Sequence, residues 1–229
     1  MGHHKGRVSE IRLGASGNTE VAIQCPARTI PRPGQYLLAM DPGDSGASLA
    51  TPLFAIRAFS QGFWAAPLHI IEWSPGIALN LVGPLGHGFD LPGNILRLGL
   101  VAVGETVSRL LPLVDQMSQA KAGMTLFTDL GLPPLPAALE IYPLSSLPEA
   151  LEWPDHLVLD LPLGKLDALR SILGLEDGAI LPCPAQALIT TPMPCAGQAQ
   201  CGACAVRGRR GWKLACEDGP VFDLKSLSW

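Results

Sequence analysis

Four cysteines near the C-terminus carry the densest chemistry in the sequence. Cys195, Cys201, Cys204 and Cys216 are spaced C-x5-C-x2-C-x11-C within PMPCAGQAQCGACAVRGRRGWKLACEDGPVF. Three thiols on a tight loop, joined by a fourth returning from a following hairpin, are a pattern that surrounds a [2Fe–2S] cluster. Gly197, Gly202 and Gly208 fall between these positions. Glycine lets a backbone wrap a cluster without Cβ clashes and aim its N–H groups at sulfur. Zinc takes four cysteines too, but usually as two C-x2-C pairs, and only Cys201 and Cys204 form one. Disulfides need an oxidising compartment. A register that leaves Cys195 outside the ligand set stays open, because one residue more than the commoner four separates it from Cys201.

The remaining 190 or so residues must position that loop. The chain has 229 residues, 48% hydrophobic and only 16% charged, with a net charge of −4. This is a globular composition with a rather apolar surface, which suits a subunit of a complex, and its charge argues against nucleic acid as a partner. No apolar run reaches membrane-span length, and MGHHKGRVSE lacks the apolar core of a signal peptide, so a cytoplasmic location and no membrane association are expected. In such a compartment six cysteines point to metal rather than disulfides. Cys25 and Cys183 lie outside the cluster motif, the latter as a buried loop thiol between two prolines.

Residues 1–92 are expected to form an antiparallel barrel from short strands at RVSEIRL, TEVAIQC, GQYLLAM, PLFAIRAF, LHIIEW and IALNLV. Residues 93–190 change character. LGLVAV, MTLFTDL, ALEIYPL, HLVLDLP and QALITTP read as strands. Val107, Leu110, Leu111, Val114 and Met117 recur at a helical period that ends at Gly123, and GKLDALRSILGL reads as a second helix. Strands alternating with helices predict a parallel sheet in a reduced Rossmann-like α/β domain. Residues 191–229 form the cluster module, with a hairpin and a tail. The fold class is thus β plus α/β with a C-terminal [2Fe–2S] module.

This order, together with the C-terminal cysteines, the tail Cys216-Glu-Asp-Gly-Pro-Val-Phe222, the segment GPLGHGFDL and the strand PRPGQYLLAM, resembles the ferredoxin-reductase superfamily. More narrowly it resembles the electron-transfer subunit of type B dihydroorotate dehydrogenase. The resemblance implies FAD in the barrel, NADH oxidation on the α/β domain, and electrons passing through [2Fe–2S] to an FMN-containing catalytic subunit that makes orotate. A flavin accepts a hydride's two electrons and releases them singly, which suits a one-electron cluster. By resemblance, the FAD-site positions are Thr51, Pro52, Leu53, Gly83, Pro84, Leu85 and Gly86.

The sequence also departs from that family. Thr51 stands where the family has an arginine for the flavin phosphate, and a threonine cannot replace a bidentate guanidinium. Arg57 reaches the same face only if its strand is regular. The glycine-rich segment that opens a pyrophosphate-binding helix is missing. In the α/β domain Gly104 stands alone, with Thr106, Ser108 and Arg109 left to bind an anion at a helix start, so NAD(H) binding is disfavoured. Gly83, Gly86 and Gly88 read equally as a tight interdomain turn. His87 reads as a surface residue, and His69 and His156 as core or edge residues. Asp41, Asp44, Glu105 and Asp115 form no convincing carboxylate pair. Arg207, Arg209, Arg210 and Lys213 make a basic hairpin with Trp212, either a solvated turn or a rim that tunes the cluster and docks a partner. Three functions follow: an electron-transfer subunit in a hetero-oligomer, a complete FAD-dependent NAD(P)H:acceptor reductase, or a zinc-bearing structural subunit.

Overall fold

A computed structural model describes residues 2–43, 49–68, 71–176 and 179–229. Asp44 and His69 lie outside the described residues. Six strands close into an antiparallel barrel in the order β1-β2-β5-β4-β3-β6: β1 (His3–Leu13), β2 (Thr19–Gln24), β3 (Tyr36–Met40), β4 (Thr51–Phe59), β5 (Gly62–Pro67) and β6 (Ala78–Leu85). Closure leaves no unpaired edge. Side chains alternate across each strand. On β6, Leu79, Leu81, Gly83 and Leu85 are buried, while Ala78, Asn80, Val82 and Pro84 lie further out. On β3, Leu37 and Ala39 point into the barrel with Val8, Ile23, Leu53 and Phe63. Tyr36 and Leu38 therefore face the other way, into the core that the barrel shares with the rest of the chain.

One barrel strand differs from expectation. The fifth strand is GFWAAP, and residues 71–73 of LHIIEW are not strand. GFWAAP follows β4 across a short turn at Ser60 and Gln61 and pairs with both β4 and β2, so it takes the fifth place by hairpin closure. Ile71 and Trp73 keep their apolar role but pack as irregular backbone against the barrel interior.

The second sheet has the order β14-β11-β10-β7-β8-β9. Its parallel part comprises β7 (Arg97–Ala102), β8 (Gly123–Phe127), β9 (Leu139–Tyr142), β10 (His156–Pro162) and β11 (Ala185–Thr190). The expected first helix begins as a 3₁₀ turn at Ser108–Leu110 and continues as α1 (Leu111–Gln119). It stops short of Gly123 because Lys121 takes a left-handed conformation. α2 (Leu147–Ala150) was not legible in the sequence. The second expected helix shrinks to a 3₁₀ turn and α3 (Leu169–Ile172), with the left-handed Gly174 just beyond it. No helix among the described residues is long and apolar enough to cross a membrane.

The C-terminal segment adds a two-stranded hairpin, β12 (Ala205–Gly208) with β13 (Gly211–Leu214). It then contributes β14 (Val221–Asp223), antiparallel to β11, as the sixth strand of the α/β sheet. The tail packs on this chain. Leu224 and Leu227 are buried, the Trp229 indole N–H donates to the Leu224 carbonyl at 2.9 Å, and Arg170 lies 4.8 Å from the Trp229 ring centre.

The glycines at Gly83 to Gly88 are a seam. His87 donates its N–H to the Gly219 carbonyl and bridges to Pro220. Gly86 has φ +73°, and a Cβ there would lie 2.6 Å from Pro220 Cδ and 2.7 Å from the Gly219 oxygen. Gly86→Ala combines left-handed strain with a backbone clash, and a loss of about 2–4 kcal/mol is expected. Thermal melting checks it; an unchanged Tm would mean that barrel and tail are not rigidly joined here.

Candidate metal centre

The loop from Cys195 to Cys204 owes its shape to four left-handed residues, Ala196, Gly197, Ala199 and Gly202. Alternating hand turns successive N–H groups inward, which makes an anion-binding concavity. The N–H of Ala203 donates to the Cys201 sulfur at 3.4 Å, and that of Gln198 closes the loop onto the Cys195 carbonyl at 3.2 Å. Gly197 packs against the barrel: a Cβ there would lie 3.2 Å from Leu38 Cδ1 and 3.3 Å from the Tyr36 hydroxyl.

Two of the four thiols are in contact, Cys204 Sγ lying 3.3 Å from Cys216 Sγ, while Cys195 and Cys201 stand on the loop that precedes them. Four thiolates hold a binuclear cluster two to each iron, and Cys204 and Cys216 are placed to serve one of them.

Burial differs sharply between the pairs. Cys204 and Cys216 are 2% and 7% exposed and belong to the core that includes Tyr36, Leu38, Leu85, Met193, Val206 and Ala215. Cys195 is half-buried and Cys201 exposed. Burial, and then the neighbouring Cys204 thiol, pushes the Cys216 thiol up to about 12. The N–H of Gln200 and then that of Cys201 pull the Cys195 thiol down to about 6. In cluster-free protein, iodoacetamide should label Cys195 first at pH 7. Labelling should slow about tenfold at pH 5, as the thiolate fraction falls on the acid side of its pKa. Peptide mass spectrometry reads this, and equal labelling of all four thiols would contradict the N–H cradle. Cys25, which burial raises to about 11, packs against the barrel core, and Cys183 is buried in the shared core.

Tyr36 is the site residue that motif reading missed. Its hydroxyl donates to the Cys216 carbonyl at 3.3 Å, and its ring packs 5.8 Å from that of Phe54. The signal was a phenol in an otherwise aliphatic strand, since a buried hydroxyl must find an acceptor.

The FAD-site positions fall on both flanks of β3. Pro52 and Val82 both oppose Leu38, so Thr51 to Leu53 lie on one side and Gly83 to Gly86 on the other. Leu53 is inside the barrel, and Gly86 is pressed on the tail. A 230 Å³ slot lined by Leu49, Ala50, Pro192, Met193 and Pro194 opens beside β4 and the start of the cysteine loop. It suits a flat apolar group, while the usual range for ligand pockets begins near 300 Å³. Among the described residues its lining carries no charge for a pyrophosphate. Arg57 does not supply one, because β4 is bulged between Ala55 and Arg57, which leaves Arg57 exposed beside Arg12 and Asp115 on another cavity.

Thr106, Ser108 and Arg109, the residues left for an anion at this helix start, are engaged within the chain. Arg109 Nε is 2.8 Å from Asp160 Oδ2 and Nη2 is 3.2 Å from Oδ1, with both side chains buried. Ser108 Oγ donates to Glu20, and Thr106 Oγ1 accepts the Ser108 N–H. Gly104 faces the same guanidinium: a Cβ there would lie 3.3 Å from it. His87 is exposed and His156 buried, as expected.

Comparison with known proteins agrees with this geometry. Residues 193–228 match the iron–sulfur cluster binding domain of dihydroorotate dehydrogenase B. No curated protein sequence matches the chain. Among solved structures, an NADH-dependent reduced ferredoxin-NADP oxidoreductase studied for flavin-based electron bifurcation superposes with a TM-score of 0.76 at 17% identity, covering 98% of this chain and 90% of that one. The ferredoxin reductase of carbazole 1,9a-dioxygenase gives 0.58 at 17% identity, over 76% of this chain and 65% of that one. The flavohem-like FAD/NAD binding domain of a Vibrio cholerae nitric oxide dioxygenase gives 0.57 at 13%, over 82% and 99%. At these identities the likeness establishes the fold. The chain therefore has a ferredoxin-reductase-like fold, and its C-terminal segment is similar to the iron–sulfur cluster binding domain of dihydroorotate dehydrogenase B.

Proposed function

We propose that this chain is the electron-transfer subunit of a two-component oxidoreductase. It carries [2Fe–2S] on Cys195, Cys201, Cys204 and Cys216 and exchanges single electrons with a flavoprotein dehydrogenase. The partner is an FMN-containing, dihydroorotate dehydrogenase-like catalytic subunit, which places the chain in pyrimidine biosynthesis as part of a hetero-oligomer. The proposed division is 1–92 for the barrel, 93–190 for the α/β domain and 191–229 for the cluster module. The observation that carries the reading is the four-cysteine loop and hairpin, with Cys204 and Cys216 in contact, inside the segment that matches the iron–sulfur domain.

The chain's own residues do three things. Loop N–H groups donate to the ligand sulfurs, and such bonds help set a cluster's potential. Tyr36, Leu38 and Leu85 close the inner edge against water. Cys201 leaves the outer edge at the surface, where a partner can approach. By resemblance FAD belongs beside β3, near Thr51, Pro52, Leu53, Gly83, Pro84, Leu85 and Gly86. Such a flavin would supply the conversion between two-electron and one-electron transfer. With threonine where the family has its phosphate-binding arginine, such a flavin would be held weakly.

Visible absorption of anaerobically purified protein, before and after acid precipitation, tests this together with iron and sulfide assays. The expected result is a reducible red-brown chromophore that acid destroys, with less than stoichiometric FAD in the supernatant. Zinc without sulfide would overturn the reading. Stoichiometric FAD that NADH bleaches would make the chain a complete reductase, the reading its whole-chain likeness to the oxidoreductase favours.

A further inference from the structure

Beside the exposed edge of the metal centre stands a two-stranded hairpin that the electron-transfer reading does not itself use. Arg207 on β12 and Arg209 and Arg210 in the turn are exposed, Lys213 on β13 is half-buried opposite Val206, and no acidic residue lies among 205–214. Among the described residues none of these four forms an ion pair. The acids that follow lie past the hairpin, and Asp218 is engaged by the Leu214 N–H at 2.7 Å. Strand alternation buries Val206 and Gly208 and turns Arg207 outward, opposite Trp212, which is 73% exposed. An isolated two-stranded ribbon is marginal on its own. Here the tail fixes it: Arg209 N–H donates to the Ser226 carbonyl at 3.0 Å and Ser228 N–H to the Arg207 carbonyl at 2.9 Å. The result is a rigid, positively charged face with an exposed aromatic on a chain of net charge −4. It is joined through Cys204 to the exposed turn Cys201–Ala203.

We propose that the outer face of the β12–β13 hairpin, with the Cys201–Ala203 turn, is the surface on which the redox partner docks, and that the partner presents an acidic face to it. The proposal rests on the electron-transfer reading above. Unpaired charge on a rigid rim steers encounter and fixes orientation, while an exposed Trp supplies desolvated contact area. Docking here brings the acceptor to the outermost ligand, Cys201, which shortens the path for the electron.

The test uses cluster-loaded full chain and two probes of opposite charge: an acidic plant-type ferredoxin and basic cytochrome c. Affinity for the immobilised probe and the rate of electron transfer are both measured from low to high salt. With its cluster first reduced by dithionite, wild type is expected to bind the acidic probe more tightly than the basic one, and both its affinity for the acidic probe and its rate of electron transfer to it should fall as salt rises. Arg209→Glu/Arg210→Glu should lose at least about tenfold toward the acidic probe at low salt and gain toward cytochrome c. Trp212→Ala should lose affinity at high salt as well. The visible spectrum and the midpoint potential of each variant show whether the cluster is intact and equally driving. An intact cluster whose binding and rates ignore both salt and charge reversal overturns the docking surface alone. A preference of wild type for cytochrome c would move the exit to another face. A chain that holds no reducible cluster overturns the electron-transfer reading and the docking surface with it.

Discussion

Serine at Cys204 is expected to remove most of the bound iron and sulfide, and serine at Cys216 to do the same, whereas serine at Cys201 should leave a partly loaded protein. The difference follows from burial. Cys204 and Cys216 are enclosed by Tyr36, Leu38, Leu85, Met193 and Ala215, so no water or other side chain can enter as a substitute ligand. Their sulfurs sit together at 3.3 Å, placed so that both would ligate one iron of a bound cluster. Cys201 is at the surface, where a serine oxygen or water can complete the coordination. Changes in groups that merely orient a ligand cost about 10–100-fold in metal affinity, so loss of a buried thiolate should exceed that. Cys25→Ser and Cys183→Ser should leave the visible spectrum unchanged, since Cys25 packs on the barrel interior and Cys183, though buried in the same core as Cys204 and Cys216, lies outside the cysteine loop and hairpin. Iron, sulfide and absorbance per chain decide the series. An unaltered spectrum in Cys204→Ser would refute the ligand set, and one in Cys195→Ser would show that the fifth inserted residue has put that cysteine outside it.

The cluster module was legible because its signal is local. Spacing, glycine content and the following hairpin all lie within residues 195–216, and the chemistry needs those residue types whatever the rest of the chain does. The barrel was legible as a count of short strands, but not strand by strand. LHIIEW is a better strand by composition than GFWAAP, yet a two-residue turn after β4 decides the pairing, and turn closure outweighs propensity. The sheet's sixth strand was hidden for the opposite reason: three residues, Val221–Asp223, join it through a contact far away in sequence. Arg109 shows the limit of reading a helix start as a phosphate site. The residue types were right for an anion, but Asp160, fifty-one residues on, had already neutralised the guanidinium. Tyr36 was visible as an oddity in its strand, and only the tertiary contact with Cys216 gives it a role.

Arg109→Ala is expected to be the most damaging single change outside the cluster module. Arg109 and Asp160 are 5% and 0% exposed and share two hydrogen bonds at the carboxyl end of the parallel strands, where open α/β sheets usually receive a ligand. The guanidinium also lies 5.8 Å from the Phe54 ring, so the pair ties the sheet to the barrel. Breaking a buried pair from one side strands the other charge and costs about 3–5 kcal/mol, or about 6–20 °C in Tm for a chain of this size. Replacing both by leucine should recover most of the loss, because no unpaired charge remains. The pH dependence gives a second readout. Burial pushes the Asp160 carboxyl above its usual value of 3.8, and Arg109 pulls it back. Without Arg109 the carboxyl rises further and the folded state holds its proton more tightly than the unfolded chain. The stability this contributes is full below the unfolded pKa and is lost as pH rises through the folded one. The deficit of Arg109→Ala against wild type should therefore be smaller at pH 5 than at pH 8 in thermal melts. A constant deficit, or a double leucine variant no better than the single, would mean that Arg109 acts through its packing on Phe54 rather than through its charge.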